Sequence, residues 1–322
     1  MSFARISVIG SGAWGTALAQ AAALGGGEVT LVGRDPLVID DIARNRRNSR
    51  YLPGLELAER VGASAALPAS DLVILAVPAQ QSRAVLGQFA AGLAGLPVVL
   101  SAKGLERGTQ LRQSEVLAAI VPSAVPFVLS GPSFAEDVAA GRPTAVTLAG
   151  DDAELTSEVA AALAGPTFRP YAADDRIGVE LAGALKNVYA LGAGAVDGAG
   201  LGASARAALI ARAFAELTRL VVRMGGTSTS LAGLAGLGDL TLSCTSVQSR
   251  NYRYGAALGA GRSTEAIGLV EGVATAPVAL ELARRHGIDA PLVEAVNRLL
   301  SGTESIAEIV ASLMARPLKR ET

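Results

Sequence analysis

An α/β chain is what this sequence predicts, with a doubly wound parallel sheet of the Rossmann type first and an all-α domain after it. Three observations carry that expectation. Short β-branched and apolar runs alternate with helical patterns as far as Tyr171, a glycine-spaced turn joins the first run to the first helix, and beyond Tyr171 only helical patterns follow. At 322 residues, 50% hydrophobic and 18% charged, the chain is long enough and apolar enough for two cores. The expected division is 1–175 for a nucleotide-binding unit and 176–322 for a helical substrate-binding unit.

The first strand, Arg5 to Gly10, runs into Gly10-Ser-Gly12-Ala-Trp-Gly15 and then an alanine-rich helix to Leu24. In that setting Gly10 allows the tight turn, Gly12 lets a pyrophosphate approach the backbone, and Gly15 lets helix pack closely on strand. A dinucleotide is the ligand this pattern predicts. The second strand, Val29 to Val32, ends in Gly33-Arg34-Asp35, where an acidic side chain normally takes the ribose 2′-hydroxyl. Here the first side chain offered is cationic, and Arg34 can pair with a 2′-phosphate or lie flat on the adenine, so NADP(H) is favoured over NAD(H), with Asp35 keeping NAD(H) open. Arg46, Arg47 and Arg50 read as a solvated helix end that adds positive potential.

Asp71 to Pro78 is an apolar run of the kind buried on both sheet faces, and Pro97 to Ala102 repeats it, delivering Lys103-Gly104 to the carboxyl edge where such sheets bind ligands. Phe127 to Ser130 is the next strand, followed by Gly131-Pro-Ser133 and an acidic helix from about Phe134 to Ala140. Gly131 and Ser133 can present an N–H and a hydroxyl to an anion. Thr144 to Ala149 and Thr167 to Tyr171 read as strands joined by a helix over about 152–164. Helical patterns then cover about 175–194, 205–224, 275–286 and 291–300. Gly233 to Leu240 is too glycine-rich for a comfortable helix and is expected to curve around something. His286 suits a helix C-terminus, and the polar residues 316–322 are expected to fray.

Composition narrows the function classes. A net charge of −1 without a basic run gives no footprint for nucleic acid. One cysteine and one histidine leave no zinc cluster, so no metal is expected. Neither a signal peptide nor a membrane-inserting run is read, which fits a cytoplasmic protein with a small-molecule substrate. An alanine-rich helical face fits a homodimer as well as a monomer.

Of 28 basic residues only Lys103, Lys186 and Lys319 are lysine. Arginine cannot lose its proton in a protein, whereas a desolvated lysine can become a base near neutrality. Lys186 lies in the nearly uncharged stretch 178–197, on a helix face shared with Ala182, Gly183, Tyr189 and Ala190. Two readings stand at this point: a general base against which a ligand packs, or a buried stem with its amine reaching water. Arg250, between Ser249 and Asn251, has the fork that suits a phosphate, and Asp239 is either a helix cap or a partner for a cation such as Lys186.

These residues together carry a family resemblance. Gly-Ser-Gly-Ala-Trp-Gly-Thr-Ala-Leu-Ala at 10–19, Ser-Ala-Lys-Gly-Leu-Glu at 101–106 and Leu-Ser-Gly-Pro-Ser-Phe-Ala at 129–135 are its first part. Gly-Ala-Leu-Lys-Asn-Val at 183–188, Gly-Leu-Ala-Gly-Leu-Gly-Asp-Leu at 233–240 and Ser-Arg-Asn at 249–251 complete it. Over nearly its full length the chain resembles bacterial NAD(P)-dependent glycerol-3-phosphate dehydrogenases. The resemblance implies that Lys186 is the proton acceptor for the C2 hydroxyl and that Lys103 lines both cofactor and substrate. It implies Gly131, Ser133, Asp239, Ser249, Arg250 and Asn251 around the substrate, and Ala13, Trp14, Arg34, Ala135, Arg250, Leu269 and Glu271 along the cofactor. It further implies reduction of dihydroxyacetone phosphate for phospholipid synthesis in the cytoplasm. The departures are Ser204, the segment Ala208-Leu-Ile-Ala211-Arg-Ala213, and Ser243 where a threonine is usual.

Overall fold

The computed structural model describes residues 3–317 and Arg320. Lys319 and most of the polar tail lie outside the described residues, while Arg316 is held by Asp289 at 2.7 Å. One eight-stranded sheet is formed by β1 (Arg5–Ile9), β2 (Glu28–Val32), β3 (Val61–Ser64), β4 (Leu72–Leu75), β5 (Pro97–Leu100), β6 (Val125–Ser130), β7 (Thr144–Ala149) and β8 (Phe168–Ala173), in the order β3-β2-β1-β4-β5-β6-β7-β8. Its strands pair parallel except β6 with β7, which run antiparallel, a reversal that the apolar runs alone do not encode. Six helices connect them: α1 (Ala13–Leu24), α2 (Pro36–Asn45), α3 (Ser82–Leu93), α4 (Gln113–Ile120), α5 (Ala135–Ala139) and α6 (Ala153–Leu163).

The two-residue period of the strands sorts their side chains onto two cores. On β4, Leu72 and Ile74 join Leu18, Val38, Val138 and Val159 on one face. Val73 and Leu75 join Leu86, Leu93, Val116 and Leu117 on the other. A sheet covered on both faces explains why its central strands read as unbroken apolar runs. The chain order reverses between β1 and β4, which leaves a crevice beyond their carboxyl ends.

The remaining helices are α7 (Arg176–Gly198), α8 (Ala203–Arg223), α9 (Ser228–Leu231), α10 (Asp239–Thr245), α11 (Arg250–Gly259), α12 (Glu271–Arg285), α13 (Pro291–Ser301) and α14 (Ile306–Met314). Helix α7 is buried continuously from Gly178 to Val196, because α8, α10, α11, α12 and α13 surround it and its first half rests on β6. Asp175 starts it by accepting from Gly178 N at 2.7 Å, and also ties in Thr227 N at 2.7 Å. His286 stands at the C-terminal end of α12, as its position before a glycine predicts.

The glycine-rich stretch departs from expectation. Leu234–Gly238 is a π-helical turn that runs directly into α10, so the segment is helical after all. Small residues make the wide turn fit: a Cβ on Gly236 would stand 2.1 Å from the Leu231 carbonyl oxygen. The contact of α7 with α11 has the same character. Cβ atoms on Gly194, Gly198, Gly255 and Gly259 would each fall 1.9–2.2 Å from a carbonyl oxygen of the opposite helix. The two backbones touch through this glycine seam, and it sets where the first turn of α11 lies relative to Lys186.

Candidate active site

Lys186 projects from the middle of α7 with only 6% of its surface exposed. Its Nζ donates to Asp239 Oδ1 and, at 2.8 Å, to Ser243 Oγ, both on α10. Lys103, from the loop after β5, donates to the second oxygen of the same carboxylate at 2.7 Å and to the Gly131 carbonyl at 3.0 Å. Asp239 is fully buried between two ammonium groups, so the cluster carries one more positive than negative charge. An ammonium has three N–H donors, and each lysine has two committed here, leaving one apiece for a ligand.

Burial lowers the Lys186 pKa from 10.5 to about 8; Asp239 opposes the shift and the neighbouring charge of Lys103 reinforces it. The amine is thus poised to exchange a proton near neutrality. Beside it Cys244 is buried and its thiol is pushed up to about 12 by desolvation, which keeps it neutral.

Small residues make the close approach of these elements possible. A Cβ on Gly183 would stand 2.6 Å from Ser130 Oγ and 3.6 Å from Lys103 Cγ, so the lysine stem lies along a bare patch of α7. Gly131 adopts φ +147° and its missing Cβ would meet Val146 Cα at 2.9 Å. Ser133 Oγ donates to the Gly131 carbonyl at 3.0 Å, which brings it to the same oxygen as Lys103.

The Ser-Arg-Asn triplet opens α11. Ser249 is buried and caps the helix by accepting from Tyr252 N at 3.3 Å. Arg250 is exposed and forms no hydrogen bond or ion pair among the described residues. Asn251 is held on both sides: its Oδ1 accepts from Gly272 N at 2.8 Å and its Nδ2 donates to Asn187 Oδ1 at 2.8 Å. Asn187 in turn donates to the Lys103 carbonyl at 2.9 Å. This chain fixes α12, α11 and α7 to the loop bearing Lys103. Asn187 belongs to this network although the sequence alone did not single it out, and Ser243, noted there only as a departure from the family pattern, bonds Lys186 directly. A polar side chain next to Lys186 on an otherwise apolar helix was the available signal for Asn187.

The glycine turn lies at the crevice between β1 and β4. Gly10 takes φ +118°, where a side chain is strained and would meet the Ala76 carbonyl oxygen at 2.6 Å. A Cβ on Gly15 would fall 1.9 Å from the Gly10 oxygen, whereas one on Gly12 would meet nothing within 4 Å. No side chain caps α1, so its first N–H groups have no side-chain acceptor. Ala13, half-buried Trp14 and Ala135 sit at the starts of the packed pair α1 and α5, and Trp14 Nε1 is buried without a partner among the described residues. From α12, half-buried Glu271 accepts from Ala79 N at 3.1 Å, tying this side of the crevice to the helices. Burial raises its pKa, opposed by that bond and by the charges of Arg250 and Arg107. Leu269 is 50% exposed just before it.

Arg34 stands apart from the lysine cluster, exposed at the end of β2 and without a bond among the described residues. Asp35 caps α2 through Leu37 N at 3.0 Å and pairs with Arg50 at 2.5 Å. Arg46 is not a free cation either: it ends α2 in the left-handed conformation and donates to the Leu57 carbonyl at 3.0 Å.

Comparison with known proteins gives a consistent picture. Residues 5–156 match the family described as NAD-dependent glycerol-3-phosphate dehydrogenase N-terminus, and residues 175–311 match its C-terminus. A Brucella canis protein named glycerol-3-phosphate dehydrogenase [NAD(P)+] is 50% identical over 98% of this chain and 99% of its own. A Mesorhizobium japonicum protein of the same name is 47% identical over 99% of this chain and 94% of its own. Among solved structures, glycerol-3-phosphate dehydrogenase from Coxiella burnetii superposes with a TM-score of 0.91 at 37% identity, covering 98% of this chain and 99% of that one.

Proposed function

Because the chain belongs to the NAD-dependent glycerol-3-phosphate dehydrogenase family, we propose that its buried lysine–aspartate–lysine cluster interconverts dihydroxyacetone phosphate and sn-glycerol 3-phosphate. It is an NAD(P)-dependent oxidoreductase. The observation that carries the mechanistic part is Lys186, lowered to about 8 and holding one uncommitted donor beside the surplus charge of Lys103.

The residues fit a dinucleotide. Open space at Gly12, the uncapped start of α1 and the forced glycines at 10 and 15 make a cradle that side chains would fill. Gly10, Gly12, Ala13, Trp14, Gly15 and Ala135 would hold its diphosphate side, Arg34 its ribose end, and Lys103, Leu269 and Glu271 the side toward the lysine cluster. When bound, the nicotinamide supplies or takes the hydride at the substrate C2.

This chain's own groups do the rest. In the reducing direction the Lys186 ammonium donates its free proton to the carbonyl oxygen, and in the oxidising direction the neutral amine takes it back. Asp239 holds both ammonium groups and keeps the Lys186 amine in place. The remaining donor of Lys103 draws the substrate oxygen into the cluster, with Gly131 and Ser133 lining it and holding the Lys103 amine in place, and the excess positive charge favours an oxyanion. Arg250, with Ser249 and Asn251 at the start of α11, grips the phosphate, where the exposed guanidinium is free to form a bidentate pair. The boundary between nucleotide-binding and substrate-binding units is drawn at 175/176, supported by the end of β8 at Ala173 and the capping of α7 by Asp175.

We assign the product to phospholipid synthesis in the cytoplasm on the strength of the family resemblance. No helix among the described residues is long and apolar enough to cross a membrane. The deciding experiment is cofactor oxidation with dihydroxyacetone phosphate against a panel of carboxylate-bearing keto acids. Turnover confined to the phosphate substrate is expected; preference for a keto acid would sink the reading.

A further inference from the structure

Two oppositely charged residues follow β2, and the structure treats them differently. Arg34 is unpaired among the described residues, whereas both oxygens of Asp35 are committed: Oδ1 to Leu37 N at 3.0 Å and Oδ2 to Arg50 Nη1 at 2.5 Å. The turn that delivers Arg50 is bolted down. Asn48, 1% exposed, donates through Nδ2 to the Ser11 carbonyl at 3.0 Å and to Thr16 Oγ1 at 2.7 Å, gripping the glycine turn itself. Ser49 N donates to Asp41 Oδ2 at 2.8 Å, and Tyr51 N and Leu52 N both donate back to the Asn48 carbonyl, at 3.2 and 2.9 Å. The Arg50 guanidinium also lies 5.4 Å from the centre of the Tyr51 ring. A segment fastened at once to the phosphate-binding turn and to α2 therefore places a cation on Asp35.

An acidic residue in this place normally accepts from the ribose 2′-hydroxyl and repels a 2′-phosphate. We propose that Arg50 sets the nucleotide preference indirectly, by holding Asp35 in an ion pair and leaving Arg34 as the unbalanced charge that a 2′-phosphate meets. With Arg50 present the group Arg34, Asp35 and Arg50 carries one net positive charge; without it the group is neutral and Asp35 is free to take a hydroxyl. Arg50 is thus a positioning residue acting through Asp35, on a site whose assignment to a dinucleotide this inference takes from the proposed function.

The test reads binding directly. Trp14 is the one tryptophan in the chain and sits on the glycine turn, so its fluorescence reports nucleotide without turnover. Dissociation constants for NADPH and NADH are measured for the unsubstituted protein, Arg50→Gln, Asp35→Asn and the double variant. Asparagine caps a helix as well as aspartate does, so α2 keeps its start. Arg50→Gln should lower the preference for NADPH over NADH by about tenfold, the scale of one partly screened charge interaction. The double variant should recover it, because no carboxylate is left to release. A double variant as poor in NADPH binding as Arg50→Gln would show that Arg50 meets the phosphate itself, and an unchanged ratio in Arg50→Gln would show no role; either overturns the proposal. An unsubstituted protein that binds neither nucleotide would overturn the dinucleotide assignment, and this inference with it.

Discussion

Replacing Gly255 by alanine tests whether the glycine seam between α7 and α11 holds the site together. The added Cβ would stand 1.9 Å from the Leu191 carbonyl oxygen, 2.8 Å from its carbon and 3.0 Å from Ala195 N. All three are backbone atoms, so no side chain can swing aside. Restoring an ordinary contact of about 3.5 Å requires the helices to part by roughly 1.5 Å. Overpacking of this kind costs about 1–3 kcal/mol, against which alanine returns about 1 kcal/mol of helix propensity. The functional cost is larger. Separation pulls Asn251 off Asn187, now 2.8 Å away, and moves Arg250 relative to Lys186, and a misplacement of about 1 Å can lower a rate by about 10²-fold. Gly87 in α3 is the control, since its Cβ would meet nothing within 4 Å. Gly87→Ala should stabilise by about 1 kcal/mol and leave turnover intact. Thermal unfolding and steady-state reduction of dihydroxyacetone phosphate are measured on both. A Gly255→Ala protein as stable and as active as the Gly87→Ala control would refute the seam.

Other outcomes follow from the same geometry. Arg250→Ala should raise KM for dihydroxyacetone phosphate by about 10- to 100-fold, the loss of a charge-assisted pair, and leave kcat/KM for unphosphorylated dihydroxyacetone unchanged; an equal effect on both substrates would place the phosphate elsewhere. Arg34→Ala should weaken NADPH far more than NADH in calorimetry, and equal weakening would point to adenine stacking. Lys186→Arg keeps the cation but cannot release it, so turnover should fall by about 10²–10⁴-fold with nucleotide binding retained. In glycerol 3-phosphate oxidation the unsubstituted enzyme should gain rate as pH rises through about 8, because only the neutral amine accepts the proton. The arginine variant should lack that inflection, and near-normal turnover with an unchanged profile would remove Lys186 from the mechanism.

Seven of the eight strands and the glycine turn were legible because their causes are local; β3, with Gly62 and Ala63 in its four residues, carries no apolar run and was not read, nor was the antiparallel pairing of β6 with β7. β-branched runs, the spacing of Gly10, Gly12 and Gly15, and the apolar length of α7 each specify structure within a few residues. Helices α10 and α11 were hidden by their composition, since aspartate, threonine, serine and cysteine in the first and asparagine, tyrosine and glycine in the second are poor helix formers, and packing against α7 overrides them. The glycines at 194, 198, 255 and 259 look like flaws in two helices until those helices are brought together. The shared role of Asp239 was out of reach for a related reason. It joins Lys186 and Lys103 across 53 and 136 residues of sequence, and nothing local distinguishes that from a helix cap. The same holds for the pairing of Asp35 with Arg50, which turns an acidic signal after β2 into a neutralised one.

The central claim is that Lys186 is a base with a lowered pKa, and the scarcity of lysine makes it directly measurable. With lysine labelled at the side-chain terminus, the chain offers signals from Lys103, Lys186 and Lys319 alone, and loss of one in Lys186→Met assigns it. Titrated by NMR in the folded protein, the assigned Lys186 signal should move with a midpoint near 8. A midpoint at the ordinary lysine value of 10.5 would contradict the account.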